Sequence, residues 1–213
     1  MKLVAWLAGA LTYWDGPAPA PNPDATPVIL VHGIHSSAAD MVRLANHLRR
    51  EGRPVFTPTL DPANGKATIE SLAAQLAAYA EREVPGRKFD LVGFSMGGLV
   101  SRYYVQRLGG IDRVGRFITM ATPHQGTVLA QLFSGVGHKQ MRRGSEFLRD
   151  LDRDADVLKR VGFISLYTPL DTIVVPSKSS QQSAANNVRV WGVMHPSFVL
   201  EKRCIKAVAE FIR

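Results

Sequence analysis

The stretch Gly93-Phe94-Ser95-Met96-Gly97 constrains this chain more than any other, because it joins an apolar run, Phe89–Phe94, to a segment of helical spacing, 96–108. A strand that passes into a helix within so few residues needs a turn in which neighbouring side chains crowd one another, so small residues are required two positions to either side of the serine. Gly93 and Gly97 supply them. The turn lifts the Ser95 hydroxyl to the carboxyl end of a strand and aims the first amides of the following helix at the same spot. Ser95 is therefore the candidate nucleophile.

Short apolar runs recur at Val28–Val31, 55–57, 116–120, Gly162–Tyr167 and 188–193, as strands buried on both faces should. Between them, helical spacing is carried by Met41, Leu44 and Leu48 over 40–50, and by Leu72, Leu76 and Tyr79 over Ile69–Glu83. A last helix is expected over 197–212. Strand and helix alternate, which predicts an α/β fold: a mainly parallel sheet of about six strands, helices on both faces, and an active site beyond the carboxyl ends of the strands. The segment 125–160 interrupts the alternation. It predicts a short amphipathic helix through Leu129, Leu132 and Phe133 and a second helix capped by Ser145, the segment as a whole being a candidate lid or pocket wall.

A serine hydroxyl is a weak nucleophile at neutral pH unless a base takes its proton. In a strand–serine–helix arrangement of this kind the acid and the histidine follow the serine in that order, each on a loop after a later strand. His195 alone among the histidines lies beyond every candidate acid, directly after the 188–193 strand; His124 and His138 come too early. Asp171, in the loop after Gly162–Tyr167, is the carboxylate placed to orient the imidazole and stabilise its charged form. Its rivals Asp150, Asp152, Asp154 and Asp156 alternate with Arg149, Arg153 and Lys159, which reads as a solvated charged face. They do not make a calcium loop either, since Val157 stands at the required glycine and Phe163 at the required glutamate. No metal and no cofactor are expected.

Acyl transfer also needs donors for the developing oxyanion. The amide after the nucleophile, Met96, and an amide from the loop after the first central strand, Ile34, are the candidates. The His32-Gly33 step lets the chain pass close to Ser95, with His32 in a structural role.

Length and composition fit one globular domain over 1–213, with 1–27 as a lead-in. Segment 2–11 has one cation and a short apolar run, then a proline-rich stretch with an Ala18-Pro19-Ala20 step: a weak signal-like pattern, with Pro21 at the following position, read here as retained. No stretch is long enough to span a bilayer. The compartment stays open. The single Cys204 falls in the apolar pattern of the last helix and reads as a core thiol. A net charge of +8 would suit an anionic surface, but the basic residues are spread along the chain, so no nucleic-acid partner is expected and a solvated basic surface is the default.

The residues Val31-His32-Gly33-Ile34, Gly93-Phe94-Ser95-Met96-Gly97-Gly98, Ala121-Thr122-Pro123-His124-Gln125-Gly126-Thr127, Asp171 and His195 together resemble the α/β-hydrolase superfamily, and within it the small bacterial lipases and esterases. Phe94 stands where many lipases have histidine. The resemblance runs from Val28 to the C-terminus. It implies Ser95, Asp171 and His195 as a triad, Ile34 and Met96 as oxyanion donors, and triacylglycerols or other carboxyl esters as substrates, met at a transient lipid interface. Three further readings stand beside this lipase or esterase: an acyltransferase, a thioesterase or peptidase on the same fold, and a non-catalytic module that binds an acidic partner through the basic surface. Phosphate-loop, zinc-helix and dinucleotide motifs are absent from the sequence.

Overall fold

The computed structural model describes residue 20 and residues 22–213; the signal-like 2–11 segment and Pro21 lie outside the described residues. Six strands form one parallel sheet: β1 (Val28–Val31), β2 (Val55–Phe56), β3 (Phe89–Phe94), β4 (Val114–Met120), β5 (Gly162–Tyr167) and β6 (Asn186–Arg189), in the order β2-β1-β3-β4-β5-β6. All pairings are parallel, with Val31 opposite Gly93 and Met120 opposite both Phe94 and Leu166. Every strand thus delivers its carboxyl end to one edge. Strand order reverses between β1 and β3, so the crevice expected at such a switch point opens between His32-Gly33 and Phe94-Ser95. This is the α/β-hydrolase arrangement.

The side-chain alternation of a strand divides the core in two. Ile29, Val31 and Leu91 face α2 (Ile69–Glu83) and α3 (Met96–Arg107), where Leu72, Leu76, Leu99 and Val100 are fully buried. Val28, Leu30 and Val92 face α1 (Val42–Arg50) and the C-terminal helix (Lys202–Phe211), against Leu44, Leu48, Ile205 and Val208. Each such aliphatic side chain contributes roughly 1.5–3 kcal/mol by leaving water. Cys204 lies in this second layer, fully buried. Helix starts are fixed locally: Thr68 Oγ1 accepts from Ser71 N at 3.1 Å and Ser145 Oγ from Leu148 N at 3.2 Å, the latter opening Glu146–Arg153 as expected.

Several boundaries differ from the sequence expectation. Met41 and its neighbours form a 3₁₀ turn, Ala38–Met41, under a Ser37–Asp40 capping box before the α-helix begins. The last strand is Asn186–Arg189, not 188–193, because it is the polar outer strand of the sheet and three of its four residues are exposed. The last helix is broken into His195–Val199 and Lys202–Phe211, Pro196 stiffening the first turn. Over Val128–Leu132 there is a 3₁₀ turn in place of an amphipathic helix, with only Ala130 buried, Leu129 half-buried and Val128 and Leu132 exposed, the last by 76%.

Candidate active site

The backbone conformation of Ser95, φ 53 and ψ −124, is one that L-residues avoid. Packing enforces it. The Ser95 amide donates to the Met120 carbonyl at 2.9 Å, and Gly98 N returns to the Ser95 carbonyl at 3.0 Å. A Cβ at residue 93 would lie 2.6 Å from Gly98 Cα, and one at residue 97 would lie 2.2 Å from the His32 carbonyl oxygen. Only glycine fits at either position. Gly98 is closely packed as well, since a Cβ there would meet Thr122 Oγ1 at 1.9 Å and Thr122 Cβ at 2.8 Å, a neighbour that comes from the turn just beyond β4 and so leaves no local signal around the serine.

Three buried side chains, from three loops beyond the carboxyl edge, meet here. His195 Nε2 lies 3.0 Å from Ser95 Oγ, and His195 Nδ1 lies 2.9 Å from Asp171 Oδ2 and 3.1 Å from Oδ1. An acceptor-only carboxylate fixes the ring tautomer: Nδ1–H donates to Asp171, which leaves Nε2 free to accept from the Ser95 hydroxyl. Asp171 Oδ1 also accepts the amides of Ile173 (2.9 Å) and Val174 (2.8 Å), so the carboxylate is held from two sides. The Phe94 ring packs on His195 with centroids 5.1 Å apart, a contact that sequence could not supply because it joins β3 to the loop after β6.

The acid loop is itself tied down. Thr127 Oγ1 donates to the Ile173 carbonyl at 2.7 Å and accepts from Val175 N at 3.0 Å, and Val128 N reaches the Val175 carbonyl at 2.9 Å. Thr127 closes the Thr-Pro-His-x-Gly-Thr stretch, yet nothing local in that stretch points to Asp171.

Met96 opens α3, so its amide is one of those a helix leaves without an internal acceptor. Gly33 passes so close to Ser95 that a Cβ on it would sit 3.1 Å from Ser95 Cβ, which carries the following residue, Ile34, to the same crevice. His32 is occupied elsewhere: Nδ1–H donates to the Gly33 carbonyl (2.8 Å) and Nε2 accepts the Leu60 amide (2.9 Å). Burial holds its pKa below the usual histidine range, against the opposing pull of the Gly33 carbonyl.

The other histidines and aspartates stay apart from this cluster. His124 is fully buried, its Nε2 2.9 Å from Thr119 Oγ1. His138 stacks on Phe133 at 4.6 Å. Asp150, Asp152 and Asp154 pair with Arg107 and Arg102 at 2.6–3.0 Å. No group of three or more His, Cys, Asp or Glu that could hold a metal occurs among the described residues.

A groove of about 830 Å³ is lined by Phe94 and Pro196, the chain neighbours of Ser95 and His195, together with Val42, Val199 and Leu200. A smaller cavity of about 440 Å³ lies between Tyr103, Lys139 and Phe147; Ser95, Asp171 and His195 themselves line neither, and only the larger groove is lined by their chain neighbours.

The sequence profile of the family described as palmitoyl protein thioesterase matches residues 27–151. The chain is similar to the GPI inositol-deacylase of Candida albicans, 30% identical over 103 residues that make up 48% of this chain and 21% of that protein. It is also similar to the lysosomal thioesterase PPT2 of Homo sapiens, 28% identical over 115 residues covering 51% of this chain and 38% of that one. The chain thus matches well under half the length of these relatives. Among solved structures, the mature Bacillus licheniformis lipase BlEst2 superposes with a TM-score of 0.76 at 19% identity, over 92% of this chain and 96% of that one, which shows the shared fold.

Proposed function

We propose, from the premise that the chain belongs to the palmitoyl protein thioesterase family and is a hydrolase of α/β-hydrolase fold, that it cleaves carboxylic esters and thioesters of apolar acyl groups through an acyl-enzyme on Ser95. The observation that carries this reading is the 3.0 Å approach of His195 Nε2 to Ser95 Oγ, with the far side of the ring bound to Asp171 at 2.9 Å.

In this reading His195 takes the Ser95 proton as Oγ attacks the acyl carbonyl. Asp171 stabilises the imidazolium that forms, and the amides of Met96 and Ile34 receive the oxyanion; each such donor is worth about 2.7–4 kcal/mol of barrier. Collapse of the tetrahedral species breaks the bond to the leaving oxygen or sulfur, which collects the proton from His195. Water then repeats the sequence on the acyl-enzyme and releases the acid. Phe94, Val42, Val199 and Leu200 give the groove an apolar strip that suits a hydrocarbon acyl chain, while Asp40, Arg43, Glu201 and Lys202 line the rest of it; lipid esters are a natural source of such acyl groups.

Turnover of p-nitrophenyl esters and labelling by a fluorophosphonate test this directly. Ser95→Ala should lower kcat by about 10⁶-fold and abolish labelling. A variant that turns over and labels like wild type would sink the reading, and salt-sensitive binding of an acidic partner without any hydrolysis would favour a binding module instead.

A second reading, thioester as the preferred substrate, is favoured by the family and by similarity to a lysosomal thioesterase. Comparing kcat/KM on an oxygen ester and a thioester of the same acyl chain decides between them. Product appearing only with an added acceptor would mark an acyltransferase.

A further inference from the structure

The apolar residues that the fold leaves uncovered are not scattered. Except for Leu108, every exposed large apolar side chain among the described residues stands on a segment beyond the carboxyl ends of the strands. Leu170 (51% exposed) and Ile173 (41%) bracket Asp171, while Met194 (57%) immediately precedes His195 and Trp191 (57%) stands in the same loop. Leu132 (76%) and Phe133 (50%) lie on the segment that Thr127 ties to Ile173. Together they form a collar round the mouth of the site, and exposed apolar surface gathered in one place marks an interaction face.

The charge of the collar identifies the partner. Arg142 donates to the Phe133 carbonyl at 2.8 Å, Arg203 to the Trp191 carbonyl at 2.7 Å, and the Arg189 guanidinium lies over the Trp191 ring at 4.7 Å. None of these three arginines makes an ion pair among the described residues. At the amino ends of the strands three arginines do make ion pairs, Arg53 and Arg116 sharing Asp90 and Arg113 reaching Glu81, while Arg87 donates to the Pro23 and Ala25 carbonyls. Two carboxylates, Asp40 and Glu201, share the groove wall, and Asp40 is taken up by Ser36 and Ser37. We propose that this collar docks on an anionic phospholipid surface, the aliphatic tips entering the acyl boundary, Trp191 sitting at headgroup level and the arginines meeting phosphates. The inference builds on the reading of the site as a hydrolase of apolar acyl groups, and it extends that reading from substrate to working surface.

Binding of the full chain to vesicles tests it without turnover. Vesicles of equal parts phosphatidylcholine and phosphatidylglycerol should bind at least about tenfold more tightly than phosphatidylcholine alone, with the preference lost at about 0.5 M NaCl. A blue shift of tryptophan emission should accompany binding and be smaller in Trp191→Phe, which keeps Trp6 and Trp14. Leu132→Glu with Phe133→Glu should cut vesicle binding about tenfold or more, with the circular-dichroism melt of the variant unchanged. Equal binding to neutral and anionic vesicles, or undiminished binding by the double variant, overturns the proposal. Vesicle binding by a chain without esterase activity would keep the docking face and remove the proposed reaction; hydrolysis without vesicle binding would do the reverse.

A separate observation carries a second inference. The Thr127 hydroxyl spans the Ile173 carbonyl and the Val175 amide; the Val174 amide between them and the Ile173 amide just before them are the donors to Asp171 Oδ1. We infer that Thr127 is a positioning residue that sets where Asp171 meets His195, a role that rests on the triad reading above. Thr127→Val keeps the shape and removes the hydroxyl; kcat should fall by about 10- to 100-fold with KM little changed, and Thr127→Ser should restore it. A fall in stability with kcat preserved, or no rescue by serine, overturns the inference. Inactivity of the unmutated chain would instead fault the triad reading.

Discussion

Gly97 and His32 touch through bare backbone: a Cβ added at residue 97 would stand 2.2 Å from the His32 carbonyl oxygen and 2.6 Å from that of Val31. The helix that follows Ser95 can come this close to β1 only because residue 97 has no side chain. The approach brings the first turn of α3 and the loop after β1 to the two sides of one crevice.

Gly97→Ala should therefore be costly, by about 1–3 kcal/mol or more, since both partners are backbone and neither can yield by changing rotamer. Gly162→Ala is the control, because its new carbon would meet Arg116 Cγ at an ordinary 3.5 Å. Urea midpoints of the two variants, read by circular dichroism, check this; equal midpoints would contradict it.

Ser95 holds a positive φ of 53, which glycine adopts without strain. Ser95→Gly and Ser95→Ala should both be inactive, but the glycine variant should be the more stable by about 1 kcal/mol, after the extra freedom glycine has in the unfolded chain is set against the relieved strain. Thermal melts of the pair give the answer.

His124 is fully buried, and burial, followed by the nearby charge of Arg102, holds its pKa well below the ordinary value of 6.5. It stays neutral in the fold and takes up a proton once unfolded, so stability present above pH 6.5 is lost as pH falls below it. His32 and His138, both shifted down mainly by burial, act in the same sense. Unfolding free energy should drop from pH 7 to pH 5, and less steeply in His124→Asn. A pH-independent midpoint across that range would refute the assignment.

Cys204 is fully buried and burial pushes its thiol up to about 12. Native protein at pH 8 should resist iodoacetamide and react only after denaturation. The same shift makes the fold weaken as pH rises from the ordinary thiol value of 9.0 toward 12, an effect Cys204→Ala should reduce. Rapid alkylation of the native chain would show that the thiol is open to solvent.

What was legible in the sequence was local in cause. The turn at Ser95 needs small residues at 93 and 97, and the strands β1 and β3 are buried on both faces, so both announce themselves as glycine spacing and unbroken apolar runs. The outer strand was misplaced because Asn186 and Asn187 carry no apolar signal; the sheet, not the side chains, makes them a strand. The turn Val128–Leu132 departs from a helix for a related reason: periodicity reports which residues share a face, not which way that face looks, and here Val128 and Leu132 look outward while Leu129 is half-buried. The contacts Phe94 makes with His195 and Thr127 makes with Ile173 and Val175 are tertiary, and no stretch of either neighbourhood encodes them.

Ser95 is anchored at the centre of the sheet, whereas the loop that delivers His195 hangs from its last, mostly solvent-exposed strand. Margins of a sheet fray before its middle does. On slow heating, turnover should accordingly fade several degrees before the far-ultraviolet signal collapses, and it should return on brief cooling, because the β3 elbow and its helix will still be standing as the template on which the margin re-forms.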